Sequence, residues 1–502
     1  MKQPLIEIND FKGGMTLNEK MGREDQFHIG KYLDFSSKQG YLTCNYDWVN
    51  LTWSATSVLD KEVQCILHTM ENDQHYIGSE SGYIYHKIAS DTIGIAHTST
   101  EDGEIRSLAE YKGYMYYAQN TTMGRSDLAA SPAYDDDWFG VIQTSTYHPI
   151  QIAADNKMYF GHGKYIGKWD GTSTDSEALD LADNWKIRSL SDFGYRYLAI
   201  GASYYQSTYR ASKAKIFLWN RSDTTWNDEI TIPEKEIKAQ WYSGGNLWVW
   251  AGKSCNLYVI PEGSRHPTKM LSLVKENPVT EFEVYPNAVT ERNGTIYFGL
   301  SDVDIKSYFK NPAGIYSFPA DPNKFSLNFV KTTNSYEERY KALALYRASS
   351  TDGDMLFSGS RHTAVVDYNN LSREELYASG DVPYTPGYYY SFRYEAPKNK
   401  KIVTEAFGII LDPLPTGCQL DMYVSRDTDV TAAGASTWAS TTGWQTIFTG
   451  LTTAETREKI VKKVVEGNSL QIKLIITPST VAATRPFVKS IYVTGHLKDK
   501  VF

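Results

Sequence analysis

Seven times between about residue 63 and residue 368 the chain repeats one pattern: an apolar-alternating run, a short polar turn, then an aromatic-rich run ending near Gly or Ala. The clearest copies occupy residues 150–161, 187–201, 237–252 and 288–299. Three more begin at Val63, Ile105 and Lys341, with cores at 75–78, 114–118 and 355–359. The starts lie roughly 37 to 53 residues apart, the period of a four-stranded propeller blade and too long for a leucine-rich or hexapeptide solenoid. The repeat therefore predicts an irregular β-propeller of six or seven blades. It turns the functional question toward what a ring displays or encloses.

Composition agrees with an all-β chain. Tyr is abundant at 37, beside 12 Trp and 36 Gly; aromatics favour strands and Gly favours tight turns. Helical periodicity is nearly absent. Residues 371–377 are the best short helical candidate, and 455–465 fit a helix or a strand equally.

Three regions follow from the changes in pattern. Residues 1–55 read as an extended N-terminal arm with short strands, placed to pair with the last blade and hide its edge. Residues 56–380 are the propeller, with Tyr159, Phe160, Leu247, Val249, Ile296 and Phe298 expected on inner or middle strands. A Pro/Gly-rich linker at 379–387 leads into 388–502. Seven strand-like segments there, without the blade period, predict an antiparallel β-sandwich, jelly-roll or immunoglobulin-like. Its expected core contains Phe407, Ile409, Leu420, Met422, Ile472, Leu474 and Ile491.

Net charge is −8, so there is no overall electrostatic case for gripping a nucleic-acid backbone. A mildly acidic surface suits ordinary solubility, and equally a conduit past which DNA slides without sticking. Cys44, Cys65, Cys255 and Cys418 lie far apart without CxxC spacing, which argues against zinc and for assembly in a reducing compartment. No apolar run approaches the roughly 20 residues of a membrane span, and the N-terminus lacks a secretory core. The sequons at Asn50, Asn120, Asn220 and Asn293 are then chance matches.

Signs of chemistry are few. Residues 350–354 echo one sialidase Asp-box turn, but a sialidase needs several and an arginine pocket; a charged hairpin turn is the simpler reading. Asp135, Asp136 and Asp137 could offer carboxylates to Ca²⁺, yet lack the spacing of an EF-hand loop and read as a solvated loop. No HxH, HExxH, GxSxG, P-loop or dinucleotide fingerprint occurs. The expectation is a protein that is not an enzyme, with no catalytic, cofactor-binding or metal-binding residues. Aromatic runs inside strands, such as 114–117, 248–250 and 388–390, belong to packing. Trp138, Phe139, Tyr204, Tyr205 and Tyr209 are the candidate interaction surface, read as loop aromatics.

The layout as a whole resembles tailed-bacteriophage virion proteins, in particular the tail nozzle, or packaged-DNA stabilisation, family of short-tailed phages. The matching residues are 12–15, a Lys-Gly-Gly-Met turn, and 37–42, ending in Gly-Tyr-Leu, followed by the order arm, propeller, sandwich. The resemblance implies a virion protein of the tail, assembled in the host cytoplasm into a homo-oligomeric ring, a hexamer by analogy. Its partners would be other tail or head-to-tail proteins, with transient passage of genomic DNA and no membrane segment. Such a ring extends the DNA channel and helps retain the genome until ejection. The alternative is a receptor- or glycan-binding tail protein, using rim loops and aromatics.

Overall fold

The computed structural model describes residues 4–500 apart from 16–25, 54–61, 273–281, 303–312, 333–337, 348–353, 363–367, 375–383, 428–440 and several shorter stretches. Its described residues form strands throughout, with a single short 3-10 turn at Pro322–Lys324 and no α-helix. The chain separates into two units.

One unit comprises Val49–Lys306 and Tyr336–Arg373 and carries the repeats. Seven antiparallel sheets begin at the first strands Val63–Thr69, Ser107–Tyr111, Ile150–Ile152, Trp185–Phe193, Ile237–Ser243, Phe282–Arg292 and Glu338–Arg347. These first strands are neighbours in series, and Glu338–Arg347 lies beside Val63–Thr69. The first five sheets meander through four consecutive strands each. This is the β-propeller fold, with seven repeats. The sixth contributes Phe282–Arg292 and Thr295–Asp302 here, while the following hairpin, Gly314–Pro319 and Asn328–Thr332, groups with the other unit. The seventh takes its outermost strand from the end of the arm, Trp48–Asn50. Immediately afterwards Thr52–Trp53 adds in parallel beside Thr92–Thr98 of the first sheet.

The recurring aromatic-then-Gly ending has a packing cause. Gly161 ends the core of the second strand in the third blade, where the fourth blade begins to press against it. A Cβ on Gly161 would stand 2.7 Å from Ile187 Cγ2 and 3.1 Å from Pro149 Cγ. At the equivalent Gly299, a Cβ would meet Tyr340 Cβ at 2.6 Å. Only a bare Cα lets the next first strand come this close. Around these contacts the apolar side chains interleave from blade to blade. One cluster joins Tyr159 and Ile166 of the third blade to Ile187, Leu198 and Trp219 of the fourth. Another joins Ile216 and Leu218 of the fourth to Ile237, Leu247 and Val249 of the fifth. Tyr159, Phe160, Leu247, Val249, Ile296 and Phe298 are all fully buried.

The second unit comprises Met1–Trp48, Ser307–Ser335 and Glu374–Phe502. Its C-terminal part is two antiparallel sheets. One orders Val488–Asp499, Lys400–Leu411 and Glu458–Lys462; the other orders Gly387–Tyr390, Ser469–Thr477, Gln419–Arg426 and Gln445–Leu451. Phe407, Ile409, Leu420, Met422, Ile472, Leu474 and Ile491 are buried in it. The helical candidate at 371–377 is corrected over its described residues: Tyr368–Glu374 is a strand paired with Asp354–His362, Leu371 opposite Gly359, and 375–377 lie outside the described residues. Seven residues are too few to nucleate a helix against a waiting ladder. Within 455–465 the structure likewise forms a strand, Glu458–Lys462, on Lys400–Leu411.

Most of the N-terminal stretch joins this second unit. Ile6–Ile8 pairs with the last strand, Ile8 opposite Ile491, and Ile29–Lys31 pairs with Gly387–Tyr390. Both sheets of the sandwich thus gain an edge strand from the chain's beginning. Ile6, Ile8 and Phe11 are buried, and Phe11 meets Tyr389 edge-on at 5.7 Å. Arg485 secures the connection: it donates to Asp34 at 3.0 Å and to the Cys44 carbonyl at 2.6 Å, all buried. Deleting residues 1–11 is therefore expected to lower the melting temperature of the second unit. Faster amide exchange along 488–495 should accompany the change, and unchanged protection there would refute it.

Candidate functional site

Charged residues gather where the first strands of the repeat unit approach one another. Arg188 of the fourth blade, 5% exposed, donates through Nε to the Lys238 carbonyl at 3.0 Å and through Nη2 to the Tyr147 hydroxyl at 2.8 Å. Its guanidinium also pairs with Glu236 and Glu283 and lies over the Tyr147 ring, 4.1 Å from its centre. Lys238 of the fifth blade, 1% exposed, bridges Glu236 at 3.0 Å and Glu283 at 2.9 Å. On the seventh blade Lys341 pairs with the buried Glu62 at 2.6 Å, beside the first blade. Asn287 of the sixth blade donates to the carbonyls of Gln64, 3.0 Å, and Arg106, 2.7 Å, at the first and second blades.

Among the described residues Arg188 and Lys238 share Glu236 and Glu283, and Lys341 pairs separately with Glu62, so these pairings balance in charge. Burial works against the charged form of Glu236, but Arg188 and Lys238 hold its pKa below the usual carboxylate value. A carboxylate in that state is a poor proton acceptor. Burial also raises the Tyr147 hydroxyl, against the pull of Arg188, and pushes the nearby Cys255 thiol up to about 12. Such groups hold blades together by satisfying one another.

The sequence-selected aromatics occupy other ground, and for the four within the described residues the reading as loop residues is corrected. Trp138 and Phe139 lie on the outer strand Tyr134–Phe139 of the second blade, half-buried. Trp138 packs edge-on against Tyr116 at 4.9 Å and Trp169 at 5.2 Å, and Phe139 against Phe160 at 5.2 Å. Strict alternation would part these adjacent rings; a register irregularity between the pairs Met123–Phe139 and Arg125–Asp135 lets both pack on the cluster shared with the third blade. Tyr204 and Tyr205 lie on Tyr197–Ser207 of the fourth blade, also half-buried. Tyr204 meets Trp185 edge-on at 5.4 Å, and Lys186 sits over the Tyr205 ring at 4.8 Å. The two pairs lie on different blades. Tyr209 falls outside the described residues, as does nearly all of 350–354.

Asp135 to Asp137 belong to the same outer strand, not to a solvated loop. Asp136 accepts from the Tyr117 hydroxyl at 2.7 Å and from the Thr100 amide and hydroxyl, both at 2.9 Å. The His97 ring donates to it at 2.8 Å and stacks on Tyr134 at 4.0 Å, which latches the first blade to the second. Burial opposes ionisation of Asp136, yet these donors, the Thr100 amide foremost, hold its pKa below the ordinary value of 3.8. A depressed folded pKa gives stability that is full above the unfolded value and lost as pH falls through the folded one. Asp136→Asn is expected to lower stability by about 1–3 kcal/mol at neutral pH. That deficit should shrink as pH drops below 3.8 in urea titrations; a pH-independent deficit would contradict the assignment.

Sequence reasoning passed over Arg188, Lys238 and Glu283. The available signal was a charge inside an otherwise apolar first strand, as at Lys238 between Ile237 and Ala239. Among the described residues no group of three or more His, Cys, Asp or Glu is placed to hold a metal ion.

No family model matches the chain, and no curated protein does. Among solved structures it is similar to the WD40 β-propeller domain of Doa1, with 13% identity over 65% of this chain and 97% of that one, at a TM-score of 0.44. It is also similar to a catalytically inactive virginiamycin B lyase from Staphylococcus aureus, with 10% identity over 66% and 99% and a TM-score of 0.43. A third similarity is to the computationally designed Ika8 protein, with 11% identity over 62% and 85% and a TM-score of 0.39.

Proposed function

We propose that the protein is a structural component of a phage tail, a subunit of a nozzle-like ring that extends the DNA channel and helps retain the genome until ejection. It works by assembly, not turnover. The observation that carries this reading is the mutual pairing of Arg188 and Lys238 with Glu236 and Glu283, and of Lys341 with Glu62. It commits to packing the charged groups that a propeller enzyme would turn on a substrate. With side chains knitting the first strands to one another, DNA would pass between copies arranged about a common axis, not through one propeller. The net charge of −8 suits a wall past which a polyanion slides.

The test is imaging of the purified protein and of particles made without it. Ring-shaped oligomers, and particles that leak genome or fail to gain later tail parts, are the expected results. Normal assembly and genome retention in its absence would rule the proposal out. Loss of adsorption alone, with DNA-filled particles intact, would select receptor binding.

A further inference from the structure

We propose that the sandwich strand Glu458–Lys462 pairs edge to edge with the same strand of a second copy of this chain, about a two-fold axis at Ile460. Glu458–Lys462 is the last strand of its sheet. It pairs with Lys400–Leu411 on one side, and among the described residues no strand lies on the other. The Arg457 carbonyl accepts from the Leu411 amide at 2.9 Å, and the Lys463 amide donates to the Glu405 carbonyl at 3.1 Å. Peptide groups alternate in direction along a strand, so the odd-numbered residues bond inward to the sheet. Glu458, Ile460 and Lys462 therefore turn their N–H and C=O groups outward, a row that a further strand can complete.

The side chains of these residues also share one face. Their partners across the ladder are Ile410, Gly408 and Ala406, whereas the core residues Phe407 and Ile409 stand opposite Val461 and Lys459. On that outer face the Tyr492 hydroxyl donates to Glu458 at 2.8 Å. Glu458, Ile460 and Lys462 are all exposed. Ile460 is 53% exposed and Val464, just beyond the strand, 72%, which leaves apolar surface open at an unpaired edge.

The order of charges selects the occupant. Run antiparallel to itself with Ile460 facing Ile460, the segment sets Glu458 of each copy opposite Lys462 of the other. Every such pair then exchanges both backbone hydrogen bonds and joins opposite charges. Centring the pair on Glu458 or on Lys462 instead would set like charges face to face. Lysines on an edge commonly keep strands apart; here Glu458 supplies the counter-charge that a second copy presents in register. A two-fold contact joins copies in pairs and does not close a ring, so the inference stands apart from ring assembly and survives its failure.

The test is cross-linking of the full chain carrying Ile460→Cys, with oxidised glutathione as the oxidant, read on a non-reducing gel. Cys44, Cys65, Cys255 and Cys418 are all buried and stay out of the reaction. Facing Cα atoms about 5.5 Å apart suit a disulfide, so linked dimers are expected. Lys459→Cys, whose position faces Val461 of the second copy, should link at least about tenfold more slowly. Adding Lys462→Glu or Glu458→Lys to Ile460→Cys sets like charges opposite and should slow linkage at least about tenfold. An equal mixture of the two charge-reversed chains gives every pair opposite signs again and should restore it. All these positions are exposed, so equal melting temperatures are expected throughout. Absence of linkage at 460, equal linkage at 459, no effect of either charge reversal, or no recovery in the mixture would each overturn the proposal.

Discussion

Replacing Glu283 by leucine is expected to destabilise the repeat unit by about 3–5 kcal/mol, because it strips a shared carboxylate from two buried cations at once. Arg188 and Lys238 both pair with Glu283, and each is almost fully buried. Glu236 would remain, but one carboxylate cannot neutralise two cations removed from water. Urea unfolding followed by the fluorescence of the buried Trp248 and Trp250 reads the loss directly. The companion variant separates charge from shape. Combining Glu283→Leu with Lys238→Met removes one charge of each sign, leaves Arg188 with Glu236, and should recover much of the lost stability. A double variant no better than the sum of its parts would show that the network acts through packing alone.

The second large effect lies at the blade seams. Gly161→Val is expected to cost at least about 1–3 kcal/mol, since overpacking a close-packed interface forces side chains off their rotamers. The new Cβ alone would sit 2.7 Å from Ile187 Cγ2, and a branched side chain adds two methyls to the same seam. Gly299→Val should behave alike, against Tyr340. Gly140→Ala is the control: a Cβ there meets nothing within 4 Å, and the change should stay within about 0.5 kcal/mol. Equal melting temperatures for Gly161→Val and Gly140→Ala would show that the repeated glycine does not owe its place to the close approach of the next blade.

These two sites mark how far the chain could be read without its structure. Gly161 and Gly299 stand at fixed places in a repeated phrase, so sequence found them, together with the strands that carry Tyr159, Leu247 and Phe298. The seven strand-like segments after residue 388 also became strands, because period-two alternation is a local property that a ladder simply accepts. Glu283 gave only the weaker signal of a charge inside an apolar first strand. A glutamate between Phe282 and Val284 looks like an exposed position of an edge strand, and only the approach of Arg188 and Lys238 from two other blades makes it an internal counter-ion. Likewise Trp138 reads as a free aromatic beside three aspartates, until the third blade brings Trp169 against it.

What the sequence determined by itself was therefore the repeat, its period, the all-β class and the residues that must be apolar or bare, since each follows from alternation and turn chemistry within one hairpin. Tertiary structure alone decided which charges neutralise one another, which aromatics face a neighbouring blade, and that Ile6–Ile8 and Ile29–Lys31 complete the sandwich sheets at the far end of the chain. Those choices rest on pairings between residues hundreds of positions apart, as between Asp34 and Arg485. The physical reason is that a strand edge or a buried charge states only that it needs a partner, and the folded chain supplies which one.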